Sequence, residues 1–250
     1  MSVDVEPVPR APAAVIDGTG GDPERLLVVA DYHAGIEAVL RYEGVELADA
    51  GDRRRDRLSG LVAETEPDRL VVLGDLVHAV GDPWRTEREE LTALFDGLSV
   101  PTTVVKGNHD GGIEVITDEF PSVTVTDPSG IRYGAVGFIH GHTWPDQAVL
   151  EAEIVCMGHE HPLVVLEDAV GGGRTERAWL RGHLAGAPFR ERGLAVAAAE
   201  LVVFPAFNDR SGGTRVNVER ELLSPFLPAA LPEGEAYLLD GTRLGPYRSV

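Results

Sequence analysis

The first half of the chain alternates between apolar runs and a helical pattern. Residues 26–30, 69–73 and 102–106 are runs of aliphatic and β-branched residues, and each run ends at a charged or polar cluster. Continuous runs of this kind are typical of strands that are buried on both faces of a parallel sheet. Between the first two runs, residues 53–65 carry leucine and valine at helical spacing with arginines opposite. We therefore predict a βαβ unit, which places the fold in the α/β class.

The pattern changes in the second half of the chain. Residues 86–97 predict one more helix before the change, with Thr86 as its cap and Gly97 as its stop. Short alternating runs then follow one another with few helical stretches between them, which favours strands. The predicted strands are 113–116, 122–125, 135–139, 153–157, 162–167 and 178–183. We therefore expect a second sheet that is more antiparallel than the first.

The N-terminal segment differs in composition from the rest of the chain. Residues 1–24 are acidic and rich in Pro and Gly, so we expect a flexible N-terminal extension there. Residues 25–250 are sufficient for one domain with a large core, and we expect a single domain over this range. The sequence shows no secretory signal pattern, and no apolar stretch approaches the roughly 20 residues of a membrane span. We therefore expect a cytoplasmic protein that does not contact a membrane.

The composition is strongly acidic. The chain has 41 acidic against 22 basic residues, which gives a formal net charge of -19, and Lys106 is its only lysine. An acidic chain with few aromatic residues can be disordered, but the repeated Val, Leu and Ile runs supply enough apolar surface for a folded core. Because acidic surfaces keep proteins soluble, we predict adaptation to a salt-rich cytoplasm.

Several of the apolar runs are followed by side chains with metal-binding chemistry. Asp31 directly follows one predicted strand and Asp75 follows another after a single glycine. Strand ends are where α/β sheets place ligand chemistry. Carboxylate and amide oxygens beside imidazole nitrogens suit Mn²⁺, Fe²⁺ or Zn²⁺. The candidate metal ligands, in chain order, are Asp31, His33, Asp75, Asn108, His140, His159 and His161.

Five short segments around these residues resemble the motifs of a known family. A single Asp-x-His or Gly-Asp segment is a weak signal, but five segments in order, most at strand ends, form a strong one. The segments are Asp31-Tyr32-His33, Gly74-Asp75, Gly107-Asn108-His109-Asp110, His140-Gly141-His142 and Gly158-His159-Glu160-His161. Together they resemble the five motifs of the calcineurin-like metallophosphoesterases, over about residues 26–161. The resemblance implies a four-layered α-β-β-α metallophosphoesterase sandwich with mixed sheets.

A later segment narrows the resemblance to one branch of the family. Residues 201–208, followed by Gly212, Gly213 and Asn217, are similar to the C-terminal signature of the ICC-like predicted phosphoesterase branch, and residues 142–145 fit that branch too. Relatives in this branch are often associated with DNA helicases or ligases. The resemblance therefore implies a phosphoester substrate and, as possible partners, nucleic acid and a DNA-repair helicase or ligase.

The resemblance also implies two divalent metal ions. Mn²⁺ is our first choice, and Fe²⁺ or Zn²⁺ would also suit the ligands. Asp75 would bridge the ions, because each oxygen of a carboxylate can bind one cation and its charge offsets the repulsion between cations roughly 3.5–4 Å apart. A water activated by both ions would then attack phosphorus. The implied ligands are Asp31, His33, Asp75 and His161 for the first ion, and Asp75, Asn108, His140 and His159 for the second.

Other polar residues lie close to these ligands in the sequence. We predict His109 as the general acid that protonates the leaving oxygen, with Asp110 orienting its ring. Either His140 or His142 could face the metal on an extended segment, and the family pattern favours His140. His142 would then support the site or contact the substrate phosphate. His78 stands where many relatives carry a carboxylate or an amide, so a structural and a substrate-facing role are both open.

Arginines supply the remaining candidates for phosphate binding. Residues 53–57 include four arginines, and such a run can contact nucleic-acid phosphates. Asp52 and Asp56 interrupt the run, which favours a solvated helix face instead. Arg210 and Arg215 flank a Gly-Gly turn, and they could clamp phosphate if that loop covers the metal site.

Three functions are compatible with these residues. We favour a phosphodiesterase or nuclease that acts on nucleotides or nucleic-acid ends. The alternative is a phosphomonoesterase for a small metabolite, or a cyclic-nucleotide phosphodiesterase, because the chain is acidic and lacks a broad basic patch. The third is a non-catalytic protein-binding scaffold, although no ligand position of the family is lost. The sequence shows no pattern of an oligomer interface.

Overall fold

The computed structural model describes residues 3–20, 25–167, 171–197 and 199–250. Within them, two β-sheets pack face to face around a shared apolar core. The strands of the first sheet, in spatial as well as chain order, are β1 (Asp4–Pro7), β2 (Ala13–Asp17), β3 (Arg25–Ala30), β4 (Arg69–Leu73), β5 (Thr102–Val105) and β6 (Val123–Thr126). β3 to β6 are parallel, whereas β1 and β2 are antiparallel to their neighbours. β6 was predicted as part of the other sheet, but it pairs with β5.

The second sheet is also mixed. Its described strands are β7 (Ile131–Tyr133), β8 (Val136–Ile139), β9 (Ile154–Met157), β10 (Leu163–Glu167), β11 (Gly173–His183), β12 (Glu200–Val203), β13 (Glu235–Leu238) and β14 (Arg243–Pro246). Their spatial order is β14-β13-β11-β12-β9-β8-β7, and β10 pairs with β11. Only β8, β9 and β12 are parallel neighbours among these described strands. The second sheet is therefore more antiparallel than the first, as predicted.

Helices and loops cover the outer faces of both sheets. The described helices are α1 (Ile36–Tyr42), α2 (Gly51–Thr65), α3 (Arg85–Gly97), α4 (Glu114–Thr117), α5 (Gln147–Leu150), α6 (Ala187–Arg190) and a 3₁₀ helix (Tyr247–Ser249). Apolar side chains of α2 and α3 are buried against the first sheet, and those of the short α5 and α6 are buried against the second. No helix in the described ranges is both long enough and apolar enough to cross a membrane.

The side chains of β3 explain why the central strands are apolar throughout. Leu26 and Val28 lie in the core between the sheets, where they share a cluster with Trp179 of the second sheet. Leu27 and Val29 point the opposite way, into the core under α2 and α3. Because successive side chains of a strand face opposite sides, a strand covered on both faces must be apolar at every position. The result is the predicted four-layered sandwich with two mixed sheets.

The N-terminal segment departs from the expectation of a flexible extension over residues 1–24. In its described part, residues 3–20, β1 and β2 form an antiparallel hairpin that adds to the first sheet at β3. Val5 and Ile16 are buried in the core between the sheets. The acidic and proline content of the segment concealed this short alternation of apolar residues. The expected extension also covers residues 1, 2 and 21–24, which lie outside the described residues.

Two smaller departures have local causes. The predicted strand 113–116 is largely the helix α4, because the backbone N–H of Ile116 donates back to the carbonyl of Ile113 at 2.9 Å and both side chains are buried against the first sheet. The helix α3 begins one residue before Thr86, and the side chain that accepts a backbone N–H at its start belongs to Glu87. Neither departure moves the ends of the central strands.

The carboxyl ends of the parallel strands meet at one edge of the sandwich. β3, β4 and β5 of the first sheet end there, and so do β8 and β9 of the second. The connection is direct, since the backbone N–H of Asp31 donates to Gly74 O at 3.2 Å and that of His159 donates to the Asp31 carboxylate at 3.1 Å. The polar clusters that follow the strands are therefore assembled into one site.

Candidate metal centre

Two groups of donor side chains lie side by side at this edge. In the first, the ligand atoms of Asp31, His33, Asp75 and His161 all lie within 4.8 Å of one another. In the second, those of Asp75, His140 and His159 do the same. Asp75 is common to both groups and its residue is only 2% exposed. This arrangement brings together six of the seven side chains that the sequence singled out as metal ligands.

The seventh, Asn108, lies beside the second group. Its side-chain oxygen is 3.1 Å from His140 Nε2, and the same nitrogen is 3.4 Å from Asp75 Oδ1. The other ring nitrogen of His140 donates to the carbonyl of Leu73 at 2.8 Å, which directs Nε2 toward the donor group. His142 instead lies at the rim, with its ring centroid 5.2 Å from that of His140. Its buried Nδ1 has no hydrogen-bond partner among the described residues.

A third group of imidazoles was not expected from the sequence. The ligand atoms of His33, His78 and His109 lie within 4.8 Å of one another. His78 Nδ1 is 3.2 Å from His33 Nδ1, and the rings of His78 and His109 stack with centroids 5.5 Å apart. The sequence signal that could have indicated this group is that His78 follows Asp75 by three residues in the same loop. The structure therefore places His78 inside the site rather than in a remote supporting position.

The contacts of His109 and Asp110 correct one expectation. His109 Nε2 lies 3.8 Å from Asp75 Oδ2, and Nδ1 lies 2.5 Å from the carbonyl oxygen of His78. Asp110 does not orient the ring of His109. Its carboxylate is fully buried and accepts the backbone N–H groups of Leu76 at 2.8 Å and Gly107 at 2.8 Å. The Asp110 carboxylate therefore links the loop that contains Leu76 to the loop that contains Gly107. The ring of His109 is held instead by the carbonyl of His78.

The backbone adopts left-handed conformations at five of the donor residues. These φ angles are rare for residues other than glycine, and they persist where the surrounding structure holds them. Asn208 supplies part of that support, because its amide donates to the carbonyls of Tyr32 and His33 at 3.1 Å each. The sequence marked residues 201–208 only as a family signature and gave Asn208 no role. The left-handed donor residues are Asp31, His33, Asp75, His159 and His161.

Two glycines allow the donors to approach one another. A Cβ atom on Gly107 would lie 2.2 Å from Asp75 Oδ1, and one on Gly74 would lie 2.4 Å from His140 Nδ1. Both distances are far inside van der Waals contact, and Gly74 also has a positive φ of 71°. The glycines before Asp75 and Asn108 are therefore required by close packing between neighbouring strand ends.

Glu160 anchors the pair of histidines on either side of it. Its buried carboxylate accepts the backbone N–H groups of Ser224 at 2.6 Å and Leu223 at 3.1 Å. Burial raises the pKa of this carboxyl, and the two backbone donors act in the opposite direction. With their left-handed backbones, His159 and His161 present their side chains to the site, while Glu160 between them bonds to the supporting loop.

Burial determines the charge of most of the imidazoles. It lowers the pKa of His33 well below its ordinary value, that of His159 to about 3 and that of His78 to about 4. Burial alone would also lower the pKa of His140, but Asp75 and Asp31 raise it to about 9. For Asp75, burial is outweighed by His140, His33 and His109, and its pKa falls below the usual range. His33, His78 and His159 are therefore neutral beside an ionised Asp75, as metal ligands must be, whereas Asp31 and Asp75 favour the protonated form of His140, which has to lose a proton before it binds a metal.

The donor set fits a divalent metal of intermediate softness. It combines carboxylate and amide oxygens with imidazole nitrogens, as Mn²⁺, Fe²⁺ and Zn²⁺ accept. Like donors also face each other closely, since His33 Nε2 and His161 Nε2 are only 3.4 Å apart. Two such nitrogens gain little from each other and can both bind a cation placed between them.

The two arginines of the C-terminal loop have protein partners. Arg210 Nη1 donates to Glu37 Oε1 at 3.0 Å and to the carbonyl of Ala48 at 2.7 Å. Arg215 Nε donates to Glu219 Oε1 at 3.1 Å. These contacts direct both guanidinium groups to acceptors of the protein, and they do not support a phosphate clamp.

Comparison with known proteins agrees with this geometry. A family model described as calcineurin-like phosphoesterase matches residues 24–183. The crystal structure of Pseudomonas putida nuclease MPE is similar with a TM-score of 0.56 at 20% identity, covering 95% of this chain and 98% of that one. Yfce, a phosphoesterase from E. coli, gives a TM-score of 0.39 at 16% identity over 88% and 96% of the two chains, which is too weak to carry an argument. No curated protein matches the sequence at a significant level.

Proposed function

The chain belongs to the calcineurin-like phosphoesterase family, whose members are metal-dependent hydrolases of phosphoester bonds, and from this premise we propose that it is a phosphodiesterase or nuclease acting on nucleotides or nucleic-acid ends. The observation that carries the proposal is the position of Asp75 in two adjacent donor groups, each with its ligand atoms within 4.8 Å. A shared carboxylate between two groups is the arrangement that a two-metal centre requires.

The proposed ligands are those implied by the sequence. The donor chemistry supports Mn²⁺ as the first choice, with Fe²⁺ and Zn²⁺ as alternatives. Ions held there would supply a water of lowered pKa and positive charge against the phosphoryl oxygens. Asp31, His33, Asp75 and His161 would hold the first ion, and Asp75, Asn108, His140 and His159 the second.

His109 is the proposed general acid. Its Nδ1–H would donate to the carbonyl of His78, from which it is separated by 2.5 Å. That bond fixes the ring so that Nε2 points toward the donor groups, 3.8 Å from Asp75 Oδ2. A proton on Nε2 is then in position for transfer to a leaving oxygen bound beside Asp75. The carbonyl of His78 thus takes the orienting role that the sequence had suggested for Asp110.

A hydrolysis assay tests the proposal. We would measure Mn²⁺-dependent cleavage of a nitrophenyl phosphodiester and of the matching phosphomonoester at low and high KCl, with Asp75→Asn as the control. We expect faster cleavage of the diester, two bound ions per chain and an inactive control. Faster cleavage of the monoester would favour a small-metabolite phosphatase. Loss of both activities in a chain that binds fewer than two ions would favour the scaffold function.

The remaining parts of the proposal concern context. The P. putida protein, which shares the fold of this chain at 20% identity, is named a nuclease, and a nucleic-acid substrate is consistent with that name. A DNA-repair helicase or ligase partner rests on the ICC-like resemblance. The net charge of -19 supports a salt-rich cytoplasm as the working environment.

A further inference from the structure

Three arginines from distant parts of the sequence meet beside the metal centre. Arg53 and Arg57 lie on α2, and Arg177 lies on β11. The Cζ atom of Arg57 is 5.2 Å from the ring centroid of Phe207, and Arg177 Nη1 donates to the carbonyl of Ala206 at 3.0 Å. We call this cluster, with its cavity of about 230 Å³, the arginine pocket. The cavity is lined by Ala50, Arg53, Arg54, Arg57, Phe207, Asn208 and Asp209, and Arg177 lies beside it.

Three of the four arginines at this pocket have no ion pair among the described residues. Arg54, in the same turn of α2, is the exception, because it donates to Glu37 at 3.0 Å. In the described ranges of the chain, no carboxylate oxygen lies within 4.0 Å of a guanidinium nitrogen of Arg53, Arg57 or Arg177. These three positive charges therefore lack ion pairs in a chain whose net charge is -19.

The arginine pocket has an excess of positive charge. Burial lowers the pKa of Arg57, Asp209 raises it, and Arg53 lowers it further. Burial also lowers the pKa of Arg177, and repulsion from Arg57 adds to that effect. Two carboxylates, those of Asp209 and Glu176, act on these guanidinium groups, and neither lies within ion-pair distance of Arg53, Arg57 or Arg177 among the described residues. An anion from outside the chain would relieve the repulsion, and a guanidinium binds phosphate oxygens with two parallel hydrogen bonds.

The arginine pocket is connected to the metal centre through short backbone links. The N–H of Asn208 donates to the carbonyl of Asp31 at 3.2 Å. On the other side, the N–H of Ala178, next to Arg177, donates to the carbonyl of Pro162, which follows His161, at 2.9 Å. The backbone segments that carry the arginine pocket are therefore bonded directly to those that carry Asp31 and His161.

We propose that the arginine pocket binds a second phosphate of a single-stranded nucleic acid while the scissile diester lies at the metal centre. This inference rests on the proposed function and narrows its substrate class. A strand carries many phosphates along one chain, so one of them can occupy the arginine pocket while another reacts. Three unpaired arginines suit one phosphate contact, whereas a duplex is usually bound over a broad basic surface that this acidic chain lacks.

The first test compares two diesters. The variant Arg57→Gln/Arg177→Gln removes two unpaired charges, and Arg55→Gln/Arg85→Gln removes two that already pair with Asp52 and Glu89. We expect the ratio of kcat/KM for an oligothymidylate to kcat/KM for a nitrophenyl phosphodiester to fall about tenfold in the first variant, mainly through KM. The control variant should keep the wild-type ratio. A ratio that stays constant in both variants, or falls equally in both, overturns the proposal.

A binding test separates this proposal from the proposed function. We would titrate each protein into an end-labelled oligothymidylate and follow fluorescence anisotropy at several KCl concentrations. Losing one phosphate contact of a single strand should reduce the slope of log K against log salt by about 0.7. If the wild type cleaves no diester but the double variant still shows the smaller slope, the proposed function is wrong and phosphate binding at the arginine pocket is supported. If slope and affinity match those of the wild type, the arginine pocket fails whatever the activity.

The single variant Arg57→Gln checks that the effect of the double variant does not come from misfolding. Its thermal transition should be lowered only slightly, because Arg57 loses its contact with the Phe207 ring but no ion pair within the described residues. A folded Arg57→Gln protein with part of the change in slope supports the proposal. If inorganic phosphate stabilises the protein against thermal unfolding but the oligothymidylate does not bind, the pocket is a site for small anions. That outcome would overturn the nucleic-acid assignment.

Discussion

Two buried clusters of charged side chains lie on opposite sides of the loop that follows β3. In one, Arg54 donates to Glu37 at 3.0 Å and to Glu90 at 2.7 Å, and all three side chains are almost fully buried. In the other, the metal centre, His33 Nε2 and His161 Nε2 are 3.4 Å apart. In the first cluster each contact joins opposite charges, whereas the second also brings like donors together beside its His–Asp contacts. The first is therefore complete within the chain, and the second needs a ligand to become so.

The clusters also differ in what they stabilise. Glu90 accepts the backbone N–H of Gly35 at 2.9 Å, two residues after His33, so the ion-pair cluster holds the loop that carries the metal donors. The metal centre in turn contains five residues with left-handed backbones, a conformation that costs energy and that the surrounding structure has to hold. Changes in the ion-pair cluster should therefore cost stability, and changes in the metal centre should cost activity.

Asp75→Asn should produce the largest effect. The substitution removes the charge that both donor groups share while keeping the side-chain volume. We expect a loss of about 10³-fold in kcat/KM for a nitrophenyl phosphodiester, as found when a group that stabilises the transition state is removed. Circular dichroism of the metal-free variant and of the metal-free wild type checks that both are folded at the assay temperature. Retained activity with full metal loading would contradict the assignment.

Arg54→Met should mainly affect folding. It leaves Glu90 without its buried counter-charge and Glu37 with Arg210 alone, so we expect a loss of about 3 kcal/mol in the free energy of unfolding. The measurement is urea unfolding with a chelator present, which excludes the contribution of bound metal. Arg55→Met is the control, since Arg55 pairs with an Asp52 side chain that is 90% exposed. An equal loss in both variants would remove the distinction between the clusters.

His109→Ala should reduce activity in a substrate-dependent way. We expect a loss of about 10²-fold for an alkyl phosphodiester, whose leaving oxygen needs a proton, and a smaller loss for the nitrophenyl diester. Asp110→Asn supplies the comparison, because its carboxylate bonds to loop backbone rather than to the ring. It should lower the melting temperature and keep the ratio between the two substrates. Equal losses for both substrates in His109→Ala would rule out the acid role.

Salt should produce the smallest effect, and it should act outside both clusters. The excess of acidic residues is mostly on the surface, where their repulsion is screened by ions. We expect the free energy of unfolding to rise by about 1 kcal/mol between low and molar KCl. Stability that does not change with KCl would argue against salt adaptation.

The sequence predicted the parts of the molecule that depend on local pattern. The apolar runs located β3, β4 and β5, and the polar residues after them located the donors, because strand ends of a parallel sheet meet at one edge. The short alternating runs predicted the second sheet, and the five motifs located its histidines. Local pattern and family resemblance together were therefore sufficient for the four-layered fold.

Features that depend on long-range packing were missed. Arg57 and Arg177 come from separate elements, and only the folded chain brings them to the neighbouring residues Phe207 and Ala206. The same holds for Asn208, which supports a loop that lies far from it in the sequence. The N-terminal hairpin was missed for another reason, since its acidic residues and prolines resemble those of a flexible segment. Sequence periodicity carries no information on which distant elements will meet.

The two glycines of the metal centre have a consequence for the evolutionary history of the chain. Gly107 leaves room for Asp75, and Gly74 leaves room for His140, at distances where any side chain would collide. A Cβ atom at position 107 would also lie 2.3 Å from the backbone N of residue 75, and one at position 74 would lie 2.8 Å from the Cβ of residue 140, so the collisions do not depend on the donor chemistry. Descendants that abandon the activity should therefore lose the donors first and keep both glycines for as long as they keep the fold. Relatives in which the glycines vary while the donors remain would contradict this order.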